Sequence, residues 1–160
     1  MARETSEINK GVYVDEQLVV FKLWEQNYAI NIASVQEIIL MEHITRVPRT
    51  PPFLKGVINL RGKIIPVIDM RKRFSGDWTT EITEDTRIVI VEAGSSIVGM
   101  IVDQVTEVIH LAKENIEPLP AASSGFDASF IRGVGKEGDS LIMLLDLHDV
   151  FAHINKNEIA

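Results

Sequence analysis

Hydrophobic residues alternate with polar ones over several stretches of this chain, as they do in β-strands. Residues 28–32 read YAINI, so one face of this strand is predicted to be buried and the other to face solvent. Residues 18–24 and 87–92 are rich in β-branched and aromatic side chains, which strands favour. Turn sequences follow both of these stretches, at Glu25-Gln26-Asn27 and Ala93-Gly94-Ser95. The chain is therefore predicted to be mostly β.

The apolar pattern of the first half recurs in the second half. Residues 53–70 read FLKGVINLRGKIIPVIDM, and FIRGVGKEGDSLIMLLDL follows at an offset of 77 (130 − 53), with the same length and no gap. Three segments within residues 19–39 match segments of residues 89–109 at an offset of 70 (89 − 19). Two copies are too few for a solenoid, so the sequence predicts two similar lobes packed together.

Each lobe is predicted to be a five-stranded, SH3-like β-barrel with short helical turns. The first lobe is expected at about residues 17–84 together with elements near the chain ends, and the second at about residues 85–152. Residues 1–16 and 153–160 are predicted to be tails. An insertion at residues 121–127 has no counterpart in the first copy, and no role is assigned to it.

Short helices are predicted at a few places. Residues 33–39 are compatible with a helix, since Ser34 can serve as its N-cap with a glutamate three residues later. Their counterparts, residues 103–109, carry more β-branched residues and fit a strand equally well. Asp69 and Asp146 are natural N-caps for helical turns that close the two lobes.

The composition is that of an ordinary globular protein. The chain has 160 residues, of which 46% are hydrophobic and 24% charged. Its formal charge of −7 argues against nucleic acid or an anionic membrane surface as the main partner. The chain has no cysteine, so disulfides and thiol catalysis are excluded. Neither a signal peptide nor a long apolar run is found, so the protein is expected in the cytoplasm, without direct membrane insertion.

The sequence carries no pattern typical of an enzyme. The closest of the four histidines, His148 and His153, are five residues apart, which fits a metal site on neither a helix nor a strand. The nucleophile elbow GxSxG, the phosphate-binding loop GxxxxGK[ST] and the zinc motif HExxH are all absent. We therefore expect no catalytic residues, no metal and no cofactor.

The two repeated hairpins differ most at their tips. The first carries Asn59-Leu60-Arg61-Gly62, whereas the second carries Lys136-Glu137-Gly138-Asp139. Because a hairpin tip is exposed, burial is not expected to explain why Leu60 is apolar. The planar guanidinium of Arg61 suits a carboxylate, for which Glu37 is the candidate. The alternative interpretation of Arg61 is a solvated turn residue.

Four apolar residues occupy equivalent places in the two halves, namely Val35, Ile38, Val105 and Val108. If a pseudo-twofold axis brings their segments together, they line a groove that suits a partner helix. Core packing is an equally good interpretation of each of them. The basic run at residues 71–73 is interpreted as a solvated helix face.

Four segments together form a family signature. FLKGVINLRG (53–62) is followed by IPVID (65–69), preceded by VQEI (35–38), and followed later by VGMIVDQV (98–105). In this order and spacing they resemble CheW-type chemotaxis coupling proteins, and the resemblance extends over about residues 15–152.

The resemblance implies a two-lobed β fold and a non-enzymatic adaptor. Such adaptors bridge the cytoplasmic tips of methyl-accepting chemotaxis receptors to the regulatory domain of the histidine kinase CheA. Alternatives are a coupler in a related receptor–kinase array outside chemotaxis, or a small ligand-binding β-barrel protein. The kinase-binding residues are not assigned. The expected receptor-binding residues are Val35, Glu37, Ile38, Asn59, Leu60, Arg61, Val105 and Val108.

Overall fold

The computed structural model describes residues 15–75, 81–119 and 130–151, which fold mainly into strands. The strands are β1 (Glu16–Leu23), β2 (Gln26–Asn31), β3 (Val35–Leu40), β4 (Leu54–Leu60), β5 (Lys63–Asp69), β6 (Arg87–Ala93), β7 (Ser96–Val102), β8 (Gln104–Leu111), β9 (Ile116–Glu117), β10 (Ile131–Glu137) and β11 (Ser140–Leu145). The helices of these ranges are α1 (Met70–Ser75) and α2 (Leu147–Val150), with single 3₁₀ turns at Ile32–Ser34 and Lys113–Asn115. The prediction of a mostly β protein is confirmed. The insertion at residues 121–127 and nearly all of both predicted tails lie outside the described residues.

The strands form two sheets, and each sheet combines strands from both copies of the repeat. One sheet has the order β8-β1-β2-β11-β10-β9, and the other has the order β3-β6-β7-β5-β4. We call the first the terminal lobe, because its strands come from both ends of the chain, and the second the central lobe. The first two strands of each copy thus pair with the later strands of the other copy.

The lobes do not follow the boundary predicted between residues 84 and 85. Strand β3 pairs with β6, and β5 pairs in parallel with β7, so strands from both sides of that boundary share the central lobe. A sequence repeat shows which segments are equivalent. It does not show which copy supplies the pairing partner. A strand that pairs with the other copy makes the same ladder hydrogen bonds as a strand that pairs within its own copy.

The prediction of two similar lobes is confirmed, but the lobes are not closed five-stranded barrels. The terminal lobe has a sixth strand, the two-residue β9, which pairs with β10 at Val134 and Glu117. The central lobe has only an isolated bridge at the equivalent place, between Thr45 and Val57. Among the described residues, no pairing joins the first and last strands of either sheet. These edge elements are too short to form the ladder that closure requires.

A hydrophobic core shared by both lobes holds them together. In β1, Leu18 and Val20 face the interior of the terminal lobe, whereas Val19 and Phe21 face the shared core, so the strand is buried on both sides. The shared core consists of Val19, Phe21, Leu23, Ile30, Leu54, Ile68, Met70, Val89, Val91, Val98, Met100, Val102, Phe130, Leu145, Leu147, Val150 and Phe151. Because both sheets contribute to one core, the lobes are expected to unfold together.

The helix predicted at residues 33–39 is wrong. Only Ile32–Ser34 forms a helical turn, and its N-cap is Asn31, whose side chain accepts a hydrogen bond from the Ala33 amide at 2.8 Å. Val35–Leu40 is strand β3, which pairs with β6. The β-branched residues of this segment favour a strand. The ladder with β6 stabilises this strand, whereas a short helix without tertiary packing is only marginally stable.

The helical turns that follow β5 and β11 begin at the predicted caps. Asp69 accepts from the Arg71 amide at 3.1 Å, and Asp146 accepts from the His148 amide at 3.0 Å. The basic run at residues 71–73 is not the solvated face that was predicted. The guanidinium of Arg73 lies 4.9 Å from the centre of the Phe53 ring and 4.3 Å from that of Phe130, the two equivalent phenylalanines of the repeat.

Candidate functional site

The tip of the hairpin formed by β4 and β5 is the first candidate site. Leu60 pairs with Lys63, so the turn consists of Arg61 and Gly62 alone, with φ of 51° and 87°. Two consecutive residues with positive φ are typical of the tight turns that match the twist of a hairpin. The Asn59 side chain accepts a hydrogen bond from the Gly62 amide at 2.9 Å. Asn59 therefore stabilises the turn, and Arg61 is the side chain that the turn presents.

Arg61 occupies a backbone conformation that the second hairpin gives to glycine. At the repeat offset of 77, Arg61 corresponds to Gly138, whose φ is 60°. A left-handed conformation costs a residue with a side chain roughly 1–2 kcal/mol more than it costs glycine. The first hairpin thus holds an arginine at a position where glycine is better for folding. Turn formation therefore does not explain the arginine, which makes Arg61 a candidate for contact with a partner.

Arg61 forms an ion pair with Glu37, as the sequence analysis predicted. Glu37 lies on β3, next to a register shift in its pairing with β6, and β3 is the first strand of the central lobe. Arg61 directly follows β4, the last strand. The pair therefore joins opposite edges of a curled sheet. Since the Arg61 side chain is 70% exposed, this contact contributes at most about 1 kcal/mol, and the guanidinium is accessible to a partner.

The apolar residues predicted for the site fall into two groups. Leu60 packs partly against the interior of the central lobe, so partial burial does explain its apolar side chain, contrary to the prediction. Val35 and Val105 likewise pack against the shared core. Ile38 and Val108 are different, since they are 40% and 48% exposed. The latter two are free to contact a partner.

The structure does not build the predicted groove by pairing the equivalent strands. Within the described ranges β3 pairs with β6 and β8 pairs with β1, and each is the outer strand of its own sheet. Two exposed apolar residues of the central lobe were not predicted from the sequence, namely Leu40 and Ile64. Both had a signal, because Leu40 continues the exposed alternation of Ile38, and one of two consecutive isoleucines in β5 must face outward.

A second polar site, which the sequence analysis did not identify, connects α1 with both lobes. The Arg71 Nε donates to the Asp103 carboxylate at 2.9 Å, and that carboxylate also accepts from the Trp24 amide at 2.8 Å. The hydrogen bond that Arg71 donates to the Asp103 carboxylate raises the pKa of Arg71. In the repeat, Asp103 corresponds to Ala33 and Arg71 to His148. Each copy thus lacks the charged residue that the other contributes to this site, and this difference could be read from the sequence. The cluster satisfies its own charges, which indicates a structural role.

Replacing Arg61 with glycine should leave the free energy of unfolding within about 1 kcal/mol of the unsubstituted value, because relief of the left-handed backbone offsets the lost ion pair. Arg61→Ala loses the same pair without that relief, so it should be less stable than Arg61→Gly by about 1 kcal/mol. Urea denaturation followed by circular dichroism measures both variants. A loss above about 2 kcal/mol in Arg61→Gly would mean that the arginine supports the fold.

The described residues contain no helix long and apolar enough to cross a membrane. Across the same residues, no group of three or more histidine, aspartate or glutamate side chains is arranged to hold a metal ion.

Comparisons with known proteins identify the family. A CheW-like domain model matches residues 17–155. The chemotaxis protein CheW of Klebsiella aerogenes is 34% identical over 142 residues, covering 89% of this chain and 85% of that protein. The CheW of Bacillus subtilis is 36% identical over 146 residues, covering 91% and 90%. The crystal structure of the scaffolding protein TtCheW from Thermoanaerobacter tengcongensis superposes with a TM-score of 0.78 at 43% identity, covering 86% of this chain and 88% of that one. The chain belongs to the CheW family of non-enzymatic chemotaxis adaptors.

Proposed function

We propose that this protein couples the cytoplasmic tips of methyl-accepting chemotaxis receptors to the histidine kinase CheA. Relatives that share about a third of its sequence are named chemotaxis proteins, and a relative of known structure is described as a scaffold. A scaffold acts through surfaces and not through a reactive centre, and it works in the cytoplasm, where the kinase and the receptor tips meet. It requires no cofactor.

The observation that carries this proposal is the presence of Arg61 at a position where the other hairpin has glycine. Arg61 is exposed, and its ion pair with Glu37 orients the guanidinium. Its left-handed backbone conformation costs more free energy than this exposed ion pair contributes. Arginine presents a fork of donors that suits a carboxylate on a partner. Ile38, the next residue of the edge strand β3, provides an exposed apolar contact on the opposite face of that strand. A helix that docks along this edge can contact both the polar anchor and the apolar side chain.

The proposed receptor surface is therefore centred on Glu37, Ile38 and Arg61. Asn59 and Leu60 act through the turn that presents Arg61, the first by its hydrogen bond to Gly62 and the second by packing. The remaining proposed residues, Val35, Val105 and Val108, contribute through the edge strands β3 and β8. The kinase surface is not assigned. A coupler for a receptor array outside chemotaxis would use the same surfaces with a different receptor.

Titration of the isotope-labelled protein by NMR tests this function. A CheA regulatory domain and a receptor-tip fragment, added separately, should shift two distinct patches of amides, and the receptor patch should include Glu37 and Arg61. Arg61→Gly should weaken receptor-tip binding by about tenfold, equivalent to roughly 1.4 kcal/mol, and leave kinase binding unchanged.

Lys136→Ala provides the control variant. Lys136 lies near the second hairpin tip, where it pairs with Glu117, and its removal should leave receptor-tip binding unchanged. Absence of shifts with both partners would refute the coupling function. Shifts with the kinase domain alone would favour the array outside chemotaxis.

A further inference from the structure

A cleft of about 350 Å³ in the central lobe carries a concentration of positive charge. Its lining includes four cationic side chains, Arg46, Arg49, Lys55 and Lys72. The lining also contains one carboxylate, that of Asp69, which is buried and accepts hydrogen bonds from the backbone of α1. The cleft therefore carries a local excess of cations, although the whole chain has a formal charge of −7.

The four cations are not used to hold the fold together. The ion pairs of the described residues involve Arg61, Arg71, Arg132 and Lys136, and none involves a cation of the cleft. Arg46, Arg49 and Lys55 are exposed, and Lys72 is half-buried. Clustered like charges repel one another, so folding alone gives no reason to gather them here.

The wall of the cleft is a rigid loop. The Thr50 hydroxyl donates to the Val47 carbonyl at 2.8 Å, and the Leu54 amide donates to the Pro51 carbonyl at 2.9 Å. Three prolines restrict the backbone of the same segment, at residues 48, 51 and 52. A surface that is already ordered loses little conformational entropy when a partner binds.

Arg49 is held in an unusual backbone conformation within this loop. Its φ is 62°, in the left-handed region that residues other than glycine, asparagine and aspartate seldom adopt. Arg49 and Arg61 are thus two exposed arginines at positions where glycine would fold more readily. The cleft and the tip are separate surfaces, because Lys55 and Arg61 are about 20 Å apart along the extended strand β4.

We propose that this cleft binds an acidic segment of a partner polypeptide. Carboxylates of such a segment would replace the missing counter-charges, and the two arginines would receive them by paired hydrogen bonds. A nucleic acid fits less well, because no aromatic side chain among the described lining residues is available for base stacking and the chain as a whole is negative. This inference is independent of the role of Arg61.

An acetylated hexaglutamate peptide is the probe, and NMR titration of the isotope-labelled protein is the measurement. Amide shifts should concentrate at Arg46, Arg49, Lys55 and Lys72 and should diminish as salt is added. Arg49→Gly, which removes the charge without straining the backbone, should weaken binding about threefold, and Arg46→Ala with Arg49→Gly about tenfold. Hexaglutamine should produce no shifts.

Control variants separate this cleft from other surfaces. Arg61→Gly and Lys136→Ala, which alter the two hairpin tips, should bind hexaglutamate as the unsubstituted protein does. Equal affinity in the Arg46→Ala/Arg49→Gly variant, or shifts spread over the whole surface, would overturn the proposal. So would tighter binding of hexathymidylate, which would indicate nucleic acid. Saturation by inorganic phosphate at the same residues, with an affinity equal to that of the peptide, would indicate a small-anion site and equally overturn it.

Discussion

Replacing Phe130 with alanine should lower the free energy of unfolding by about 3–5 kcal/mol, because the substitution leaves a cavity in the core shared by both lobes. Phe130 is only 4% exposed. Its ring centre lies 5.3 Å from that of Phe74 and 4.3 Å from the Arg73 guanidinium. The substitution therefore removes core packing, an aromatic contact and a cation–π contact together.

Phe53→Ala is the matched comparison, since Phe53 is the equivalent residue of the other copy. Phe53 is only partly buried and packs at the margin of the shared core, with the Arg73 guanidinium at 4.9 Å. Its substitution should cost about half as much, roughly 1.5–2.5 kcal/mol. The two phenylalanines are equivalent in the repeat, but the structure shows that their environments differ.

Urea denaturation followed by circular dichroism gives both free energies, and hydrogen exchange shows which lobe opens. In Phe130→Ala, amides of β1 and of β6 should lose protection together, since both strands contribute to the shared core. Equal costs for the two phenylalanines would contradict this account. Protection that persists in the central lobe while the terminal lobe exchanges would show that the lobes have separate cores.

The repeat was readable from sequence because alternation and spacing are local properties. The hairpin of β4 and β5 and the caps Asp69 and Asp146 follow from turn and capping chemistry within a few residues. The contact between Glu37 and Arg61 was predicted from complementary charge alone. The exchange of strands between copies was not predictable, because the exchanged and unexchanged arrangements bury the same side chains and pair the same backbone groups.

The errors at the site have a common cause, which is that burial depends on residues distant in sequence. Leu60 was interpreted as an exposed apolar residue, yet a curled sheet turns it toward the interior of the central lobe. The basic run at residues 71–73 was interpreted as solvated. Arg71 instead forms an ion pair with Asp103, and the Arg73 guanidinium lies over two phenylalanine rings. None of these partners can be identified by spacing along the chain.

Replacing Gly56 with alanine should lower the free energy of unfolding by about 3–5 kcal/mol, because the substitution combines backbone strain with a clash. Gly56 has a φ of 153°, and an added Cβ would lie 2.2 Å from the Thr45 carbonyl oxygen and 2.8 Å from Ile44 Cγ2. The nearest atom belongs to the backbone, so the clash cannot be relieved by rotating a side chain. The segment at Thr45 would have to move, and its two hydrogen bonds with Val57 at 2.9 and 2.8 Å would be lost.

Gly133→Ala is the matched control, since Gly133 is the equivalent residue of the second copy. An added Cβ there would lie 3.1 Å from the Glu117 carbonyl oxygen and 3.2 Å from Ile116 Cγ2, so a shift of a few tenths of an ångström suffices. Its cost should be only about 1 kcal/mol. Urea denaturation of the two variants compares them directly. Equal costs would mean that the bridge between Thr45 and Val57 is as pliable as the pairing of β9 with β10.

The same two variants test whether the packing at Gly56 positions the loop that lines the basic cleft. Thr45 anchors the start of the loop that carries Arg46 and Arg49, whereas Gly133 lies in the terminal lobe. Folded Gly56→Ala should therefore bind hexaglutamate about tenfold more weakly, as the double arginine variant does, and Gly133→Ala should bind it normally. Normal binding by Gly56→Ala would show that the cleft does not depend on this bridge. Loss of binding in both variants would instead indicate a general loosening of the shared core.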